Sequence, residues 1–467
     1  MNNKNVKTYT GLFEKNFKCT CGKKHCSTID DIIIKKDAIA YLPELMIKYK
    51  AKKIFLAADN NTFAAAGEIT ERILSENRID VKKYIFEQKN HLLADEKAIG
   101  RLLFEIEGDI DLIIVAGSGT LCDIGKVLSY RLKIPFVMII TAPSADGFAS
   151  TVSALTINKM KTTIETTAPK AIIADINILK NAPMPMILAG VGDILGKYTS
   201  LCDWNLGRII NDEYYCEAIA GFVRELINNC IKSAAGIKNR EDGSIQNIIE
   251  GLILSGIAMG YVGNSRPASG SEHHIAHFWE MMSLLEDKEA ALHGGRVGVA
   301  EIAMLELYEM LMDKKLDFEK IKNKVSSNKR TGQIEYIRKI FKITASVIIE
   351  QDKKMLISTP DKILKRVETA EKKWEEIIDV IRKSIPPVNK VKKILKTLGA
   401  PIIPQGIEID EETFFNSIML AKEIRPRYSI LQLLSDLGLL KEFAIELKEY
   451  FFLEKENSEK AIKDKKN

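Results

Sequence analysis

The chain has 467 residues, 68 basic against 63 acidic side chains, a formal net charge of +5 and 46% hydrophobic residues. These values describe a globular protein with room for two domains, and they exclude a collagen-like or disordered chain. The charge balance is too mild for a nucleic-acid partner, though it suits a small anionic substrate.

The opening MNNKNVKTYTGLFEKNF lacks an apolar segment of signal-peptide length, and no run of 18 apolar residues occurs anywhere. No membrane span is therefore expected. Seven cysteines without an export signal read as reduced thiols in a cytoplasmic protein.

Along the chain, CTCGKKHC places Cys19, Cys21, His25 and Cys26 within eight residues. Four ligands on one short loop would strain a tetrahedral metal site. Reduced thiols in an N-terminal hairpin are the favoured reading. Strand-like runs then alternate with helical ones: strand 52–59, helix 61–76, strand 80–86, helix 91–108, strand 111–117, helix 120–133 and strand 134–143. That alternation predicts a parallel sheet covered on both faces. A hairpin over 153–165, turning at Asn158-Lys159, and a last strand over 171–179 follow. Beyond NAPMPM (181–186) only long helical periods remain, with a strand near Ile402 the one exception. The expected division is an α/β domain over 1–183, a helical domain over 184–453 and a charged, disordered tail over 454–467. Cys122, Cys202, Cys216 and Cys230 lie in apolar helical patterns and read as packing residues. The lysine-rich region 312–400 suggests no function.

VAGSGTLCDIGK (115–126) sits between a buried strand and a helix. Gly117 and Gly119 allow close backbone approach, and the helix N-terminus suits an anion. This is where an open α/β sheet holds a pyrophosphate. The GxGxxG pattern is not met, because no glycine follows Gly119 at the third-glycine position: the chain reads Thr120-Leu121-Cys122-Asp123. Asp59 closes the first clear strand, where a carboxylate either binds an adenosine ribose or caps the next helix; one residue can do both. A carboxylate there disfavours a 2′-phosphate, hence NAD over NADP. The loop TAPSADGFAS (141–150) follows the next strand and can meet the glycine turn at one crevice.

Four of the six histidines fall between residues 273 and 293. His273 and His277 share a helix face, whereas His274 points about 100° away. Ser269 or Ser271 is the expected cap of that helix. His293 opens a second helix in LHGGRVGVA, and Asp193 in GVGDILGK is a candidate carboxylate. Histidines from separate helices plus a carboxylate make a divalent-metal site. The alternative is a histidine pair that binds nothing.

The strings GSGTLCDIGK, TAPSADGFAS, GVGDILGK, SRPASGSEHHIAH and LHGGRVGVA, with AKEIRPRYSILQLLSDLG (421–438), resemble the bacterial branch of the sn-glycerol-1-phosphate dehydrogenase family. That family sits in a group with glycerol dehydrogenase, iron-dependent alcohol dehydrogenases and 3-dehydroquinate synthase. The resemblance implies a Rossmann-like α/β dinucleotide-binding domain and an all-helical, dehydroquinate-synthase-like metal domain. It implies a metal, zinc or nickel, on Asp193, His273 and His293, with His277 as substrate contact or proton relay. It implies NAD(P) contacts from Gly117, Gly119, Thr120, Leu121, Cys122, Asp123, Thr141, Ala142, Pro143 and Ser144, with Asp59 at the ribose and Ser150 near the nicotinamide. Asp146 and Asp193 would face the substrate. The implied reaction is reversible reduction of dihydroxyacetone phosphate for glycerophospholipid synthesis. Arg266 is the first candidate for the phosphate and the N-terminus of the 271–286 helix the second, with Lys126 and Lys197 as alternatives. Ser118 departs from the family's usual three glycines, and Gly125 from its frequent alanine. A homodimer is expected. Glycerol dehydrogenase, 3-dehydroquinate synthase and a non-catalytic regulator are the rivals.

Overall fold

A computed structural model describes residues 16–87, 92–327, 331–355 and 359–463. The N-terminal segment 1–15, the helix start expected at His91 and the last four residues of the tail lie outside them. The strands are β1 (Asn16–Lys18), β2 (Lys24–Cys26), β3 (Asp31–Lys35), β4 (Lys53–Asp59), β5 (Asp80–Phe86), β6 (Leu112–Gly117), β7 (Phe136–Ile140), β8 (Val152–Ile157), β9 (Met160–Glu165) and β10 (Ala171–Asp175).

Six strands form one parallel sheet in the order β3-β10-β7-β6-β4-β5. β6, β7 and β10 are buried at every position, as their unbroken apolar runs require of strands covered on both faces. The chain moves outward from β4 to β5, then crosses back to β6 on the other side of β4. That reversal opens a crevice at the carboxyl ends of β4 and β6, where Asp59 and Gly117 stand. The remaining two-stranded pieces are β1–β2 and β8–β9. Asn158 and Lys159 both adopt positive φ, 49° and 62°. A two-residue turn that matches strand twist needs this.

The structure corrects several expectations. β3, DIIIK, is an edge strand that its short apolar run between charges concealed. The strand expected over 171–179 stops at Asp175, whose carboxylate accepts the Asn177 N–H and starts a short helix, Ile176–Leu179. Residues around 402 form no strand; Pro404–Ile407 is a 3-10 turn. The helix Leu440–Lys463 runs on into the charged tail.

Among the described residues no strand follows β10. The chain forms two compact units. One comprises Met1–Ile194, Cys216–Ala268 and Leu292–Gly294; the other comprises Leu195–Tyr215, Ser269–Ala291 and Gly295–Asn467. The first unit thus keeps the helices Glu217–Ile237 and Asp242–Val262 along with the sheet. A Cβ on Gly256 would lie 2.8 Å from the Asp146 carbonyl oxygen, so the second of these helices rests directly on the loop after β7. Asp242–Val262 is long and apolar enough to cross a membrane, but 78% of its apolar window is buried, as in a core helix.

Candidate active site

In the first unit, β6 ends at Gly117 and Ser118 leads into the helix Gly119–Leu132. A Cβ on Gly117 would meet Leu121 Cβ at 2.5 Å, and one on Gly125 would meet Val115 Cγ2 at 2.6 Å. These two glycines bring the helix onto its strands. On Gly119 the nearest atom would be Ala145 Cβ at 3.7 Å, so that position is open. Gly125 therefore does the close-packing work of the third glycine in a dinucleotide turn, three residues later than the usual spacing. The N–H of Cys122 already bonds Ser118 O at 2.9 Å. The N–H groups of Gly119, Thr120 and Leu121 are those that helix geometry leaves for an anion. Burial pushes the Cys122 thiol up to about 12, so it stays protonated and inert.

Asp59 ends β4 and caps the next helix: its Oδ1 accepts the Thr62 N–H at 2.8 Å, and Thr62 Oγ1 accepts the Asp59 N–H at 2.9 Å. The capping alternative is realised, at the crevice end of the strand.

The loop after β7 is tied down throughout. Thr141 N–H bonds Gly117 O at 2.9 Å, and Ser144 N–H bonds Ala142 O at 3.0 Å. Lys126 is completely buried, and its ammonium lies within hydrogen-bond distance of Ser150 Oγ (3.0 Å), Val152 O (2.9 Å), Gly147 O and the Asp123 carboxylate (Oδ1, 3.2 Å), four acceptors that share its protons. A lysine has three protons to give. Lys126 is thus a brace for this loop. The Ser150 hydroxyl, almost wholly buried, also donates within the loop, to Gly147 O or Val152 O. On the other side, a Cβ on Gly190 would fall 2.0 Å from Pro143 O, so the helix Met184–Leu195 lies hard against the Pro143–Ser144 turn.

That helix carries Asp193, which is fully buried. Its Oδ2 accepts the Asp146 N–H at 2.9 Å, while Asp146 Oδ2 accepts the Ser255 hydroxyl at 3.0 Å. His293 opens the helix His293–Asp313. Ligand atoms of Asp193 and His293 lie within 4.8 Å of each other. Gly294 makes this possible, since a Cβ there would sit 1.8 Å from Ala189 O. Gly294→Ala is expected to push His293 away from Asp193 and cut kcat/KM at least tenfold, about 1.4 kcal/mol. Wild-type turnover in that variant would refute this role. Arg266, also in the first unit, is 5% exposed, and its N–H bonds Asn264 Oδ1 at 2.9 Å.

In the second unit, the helix Ser271–Leu285 starts at Gly270 without a serine cap, against expectation. Asp203 caps it from the helix Lys197–Asn211: its Oδ2 accepts both the N–H and the hydroxyl of Ser271, each at 2.7 Å. Asp203 Oδ1 accepts Tyr308 OH at 2.6 Å and the Ile430 N–H at 2.7 Å. A Cβ on Gly270 would lie 2.7 Å from Asp203 Oδ2, so only glycine fits. Burial, then the nearby Glu272 charge, raise the Asp203 carboxyl to about 6. Glu272 Oε1 contacts His273 Nδ1 at 2.7 Å and accepts the Gly270 N–H at 2.9 Å. That orients His273 with Nε2 pointing away from the carboxylate.

His273 and His277 share a face, with ring centroids 6.1 Å apart. Glu280 Oε2 lies 3.5 Å from His277 Nδ1 and 3.2 Å from Arg296 Nη2. His274 is wholly buried, so replacing it is a packing change as well as loss of an imidazole. Lys197 is buried in its helix. Arg425 Nη1 and Arg427 Nη1 reach Ser269 Oγ and O at 3.5 and 3.4 Å. Desolvation lowers the Arg425 guanidinium to about 10, so an anion nearby would be favoured. The sequence reading passed over both arginines, although RPR in IRPRYS was the available signal.

The iron-containing alcohol dehydrogenase family matches residues 33–183. A Halalkalibacterium halodurans protein named glycerol-1-phosphate dehydrogenase (NAD(P)+) is 37% identical over 302 residues, 64% of this chain and 76% of that one. One of the same name from Geobacillus thermodenitrificans is 31% identical over 417 residues, 89% of this chain and 94% of that one. Among solved structures, a probable glycerol dehydrogenase from Sinorhizobium meliloti superposes with a TM-score of 0.58 at 16% identity, covering 90% of this chain and 97% of that one. The last match bears on the fold alone. The chain belongs to the glycerol-1-phosphate dehydrogenase family of oxidoreductases, within the iron-containing alcohol dehydrogenase group.

Proposed function

We propose that this enzyme reversibly reduces dihydroxyacetone phosphate to sn-glycerol 1-phosphate with NAD(P)H and one divalent metal, in the service of glycerophospholipid synthesis. The reading is carried by the pairing of Asp193 with His293, in a chain whose relatives bear that activity in their names. A carboxylate with imidazoles is the donor set of a catalytic zinc or nickel site. We assign Asp193, His273 and His293 as the ligands. When bound, the metal supplies electrophilic activation of the C2 carbonyl, and the nicotinamide supplies the hydride.

The chain's own residues do the rest. The open N–H groups at Gly119, Thr120 and Leu121 bind the pyrophosphate. Asp59 accepts from the adenosine ribose, which favours NAD over NADP. Thr141, Ala142, Pro143 and Ser144 set the nicotinamide end, with Ser150 behind it, and Lys126 holds that loop in place. Asp146 faces the substrate. His277, one turn from His273, passes a proton to the C2 oxygen directly or through water. Arg266, the Ser271 helix N-terminus, Arg425 and Arg427 are the assigned phosphate partners.

His277→Ala is expected to retain metal and lose about 10²–10⁴-fold in kcat, the usual worth of general acid–base catalysis. Full metal occupancy with undiminished kcat would remove His277 from the proton path. The overall reading is tested by NADH absorbance with dihydroxyacetone phosphate, dihydroxyacetone and a heptulosonate phosphate, with and without chelator. Chelator-sensitive oxidation with the first alone supports it; preference for either other substrate defeats it. A cytoplasmic homodimer completes the proposal, with light scattering as the check on its size.

A further inference from the structure

A second cluster of metal-ligating side chains lies in the first unit, apart from the residues assigned to catalysis. Ligand atoms of Cys19, Cys21, His25 and Cys216 all fall within 4.8 Å of one another. Cys19 and Cys21 border the tight turn between β1 and β2, and His25 is the middle residue of β2. Cys216 comes from far along the chain, at the N-cap of the helix Glu217–Ile237. Alternation along β2 turns His25 inward and leaves Cys26 exposed, so Cys26 is not part of the set.

The distances match tetrahedral coordination. With the usual zinc–sulfur and zinc–nitrogen bond lengths, sulfur–sulfur edges are about 3.8 Å and sulfur–nitrogen edges about 3.6 Å. Here Cys19 Sγ to Cys216 Sγ is 3.5 Å, Cys21 Sγ to His25 Nε2 is 3.4 Å, and Cys216 Sγ to His25 Nε2 is 3.6 Å. His25 is fully buried. Its Nδ1 lies 2.9 Å from the Tyr261 carbonyl oxygen. A carbonyl only accepts, so Nδ1 carries the proton and Nε2 presents its lone pair to the sulfurs. That is how a ligating imidazole is usually braced. The objection that one short loop strains a tetrahedron disappears, because the fourth ligand lies 191 residues from His25.

We propose that Cys19, Cys21, His25 and Cys216 form a structural Cys₃His zinc site that fastens the β1–β2 hairpin to the start of the helix Glu217–Ile237. Binding converts three thiols to thiolates and releases three protons to solvent, while neutral His25 keeps its Nδ1 proton. No electron transfer is involved. All four positions are filled by protein, as in closed structural sites, so no place is left for substrate.

Cobalt(II) reconstitution of the full chain separates this site from the catalytic one, whose proposed ligands include no sulfur. Wild type and Asp193→Asn are both expected to show thiolate-to-cobalt charge-transfer absorption, and Cys216→Ser and Cys21→Ser to lose it. Asp193→Asn is expected to retain one equivalent of zinc per chain. Because a cysteine variant can fail to fold, the wild type is also titrated with a thiol reagent before and after chelation. Three thiols that react only after zinc removal support the site. Immediate reaction of all three in zinc-supplemented wild type, absence of the charge-transfer band, or a Cys19–Cys216 disulfide found by mass spectrometry overturns it.

Discussion

Asp193→Asn is expected to strip the catalytic metal and lower kcat/KM for dihydroxyacetone phosphate by about a thousandfold or more, at least about 4 kcal/mol of transition-state stabilisation. The substitution keeps the side-chain shape. An amide oxygen in the place of Oδ2 can still accept the Asp146 N–H, so the loop after β7 holds its position. What goes is the negative charge of a fully buried group whose ligand atom lies close to that of His293. A neutral amide is a much weaker ligand for a divalent cation. The variant should therefore fold normally by circular dichroism, bind NADH at the glycine turn, and contain no metal at this site. Stoichiometric metal at this site with wild-type turnover would show that Asp193 is not a ligand. Comparison with Gly294→Ala is informative, because that change displaces His293 by a backbone clash and leaves every donor atom present.

Asp203→Ala is expected to cost about 3–5 kcal/mol of stability at pH 5, read as a lower urea midpoint. Two backbone N–H groups, Ser271 and Ile430, and two hydroxyls, Ser271 and Tyr308, lose their acceptor at once. Buried donors without partners are costly. The pH dependence has a definite sign. Burial and the Glu272 charge raise the folded carboxyl from 3.8 to about 6. Between those values the folded state holds a proton that the unfolded state has released, so Asp203's contribution falls as pH rises, by about 3 kcal/mol across the window. The penalty of Asp203→Ala should therefore shrink toward pH 7.5. A penalty that grows with pH would mean that the four donors keep Asp203 ionised and outweigh its burial.

The metal-site candidates could be read from the sequence because histidine is scarce. Four of six imidazoles fell in one window, and helical spacing separated His273 and His277 from His274. The parallel sheet was readable because strands buried on both faces must be continuously apolar, as β6 and β7 are, and as β4 is between its charged end residues. β3 was missed because five residues between charges carry too little pattern. Asp203 was missed because nothing local marks it: its partners lie at positions 271, 308 and 430.

The sequence by itself determined which residue types were available for chemistry and which local elements would carry them, since periodicity and turn preferences act over a few residues. Tertiary structure alone decided the partnerships. Gly294 and Gly190 matter for the carbonyl oxygens of Ala189 and Pro143 that they let approach. Lys126 became a brace because folding surrounded its ammonium with acceptors from residues 147–152. Cys216, buried as its apolar pattern suggests, meets Cys19 and His25 because the helix it begins packs on a hairpin formed almost two hundred residues earlier. Such contacts depend on how three-dimensional packing closes long loops, and spacing along a single chain does not encode that at any one position.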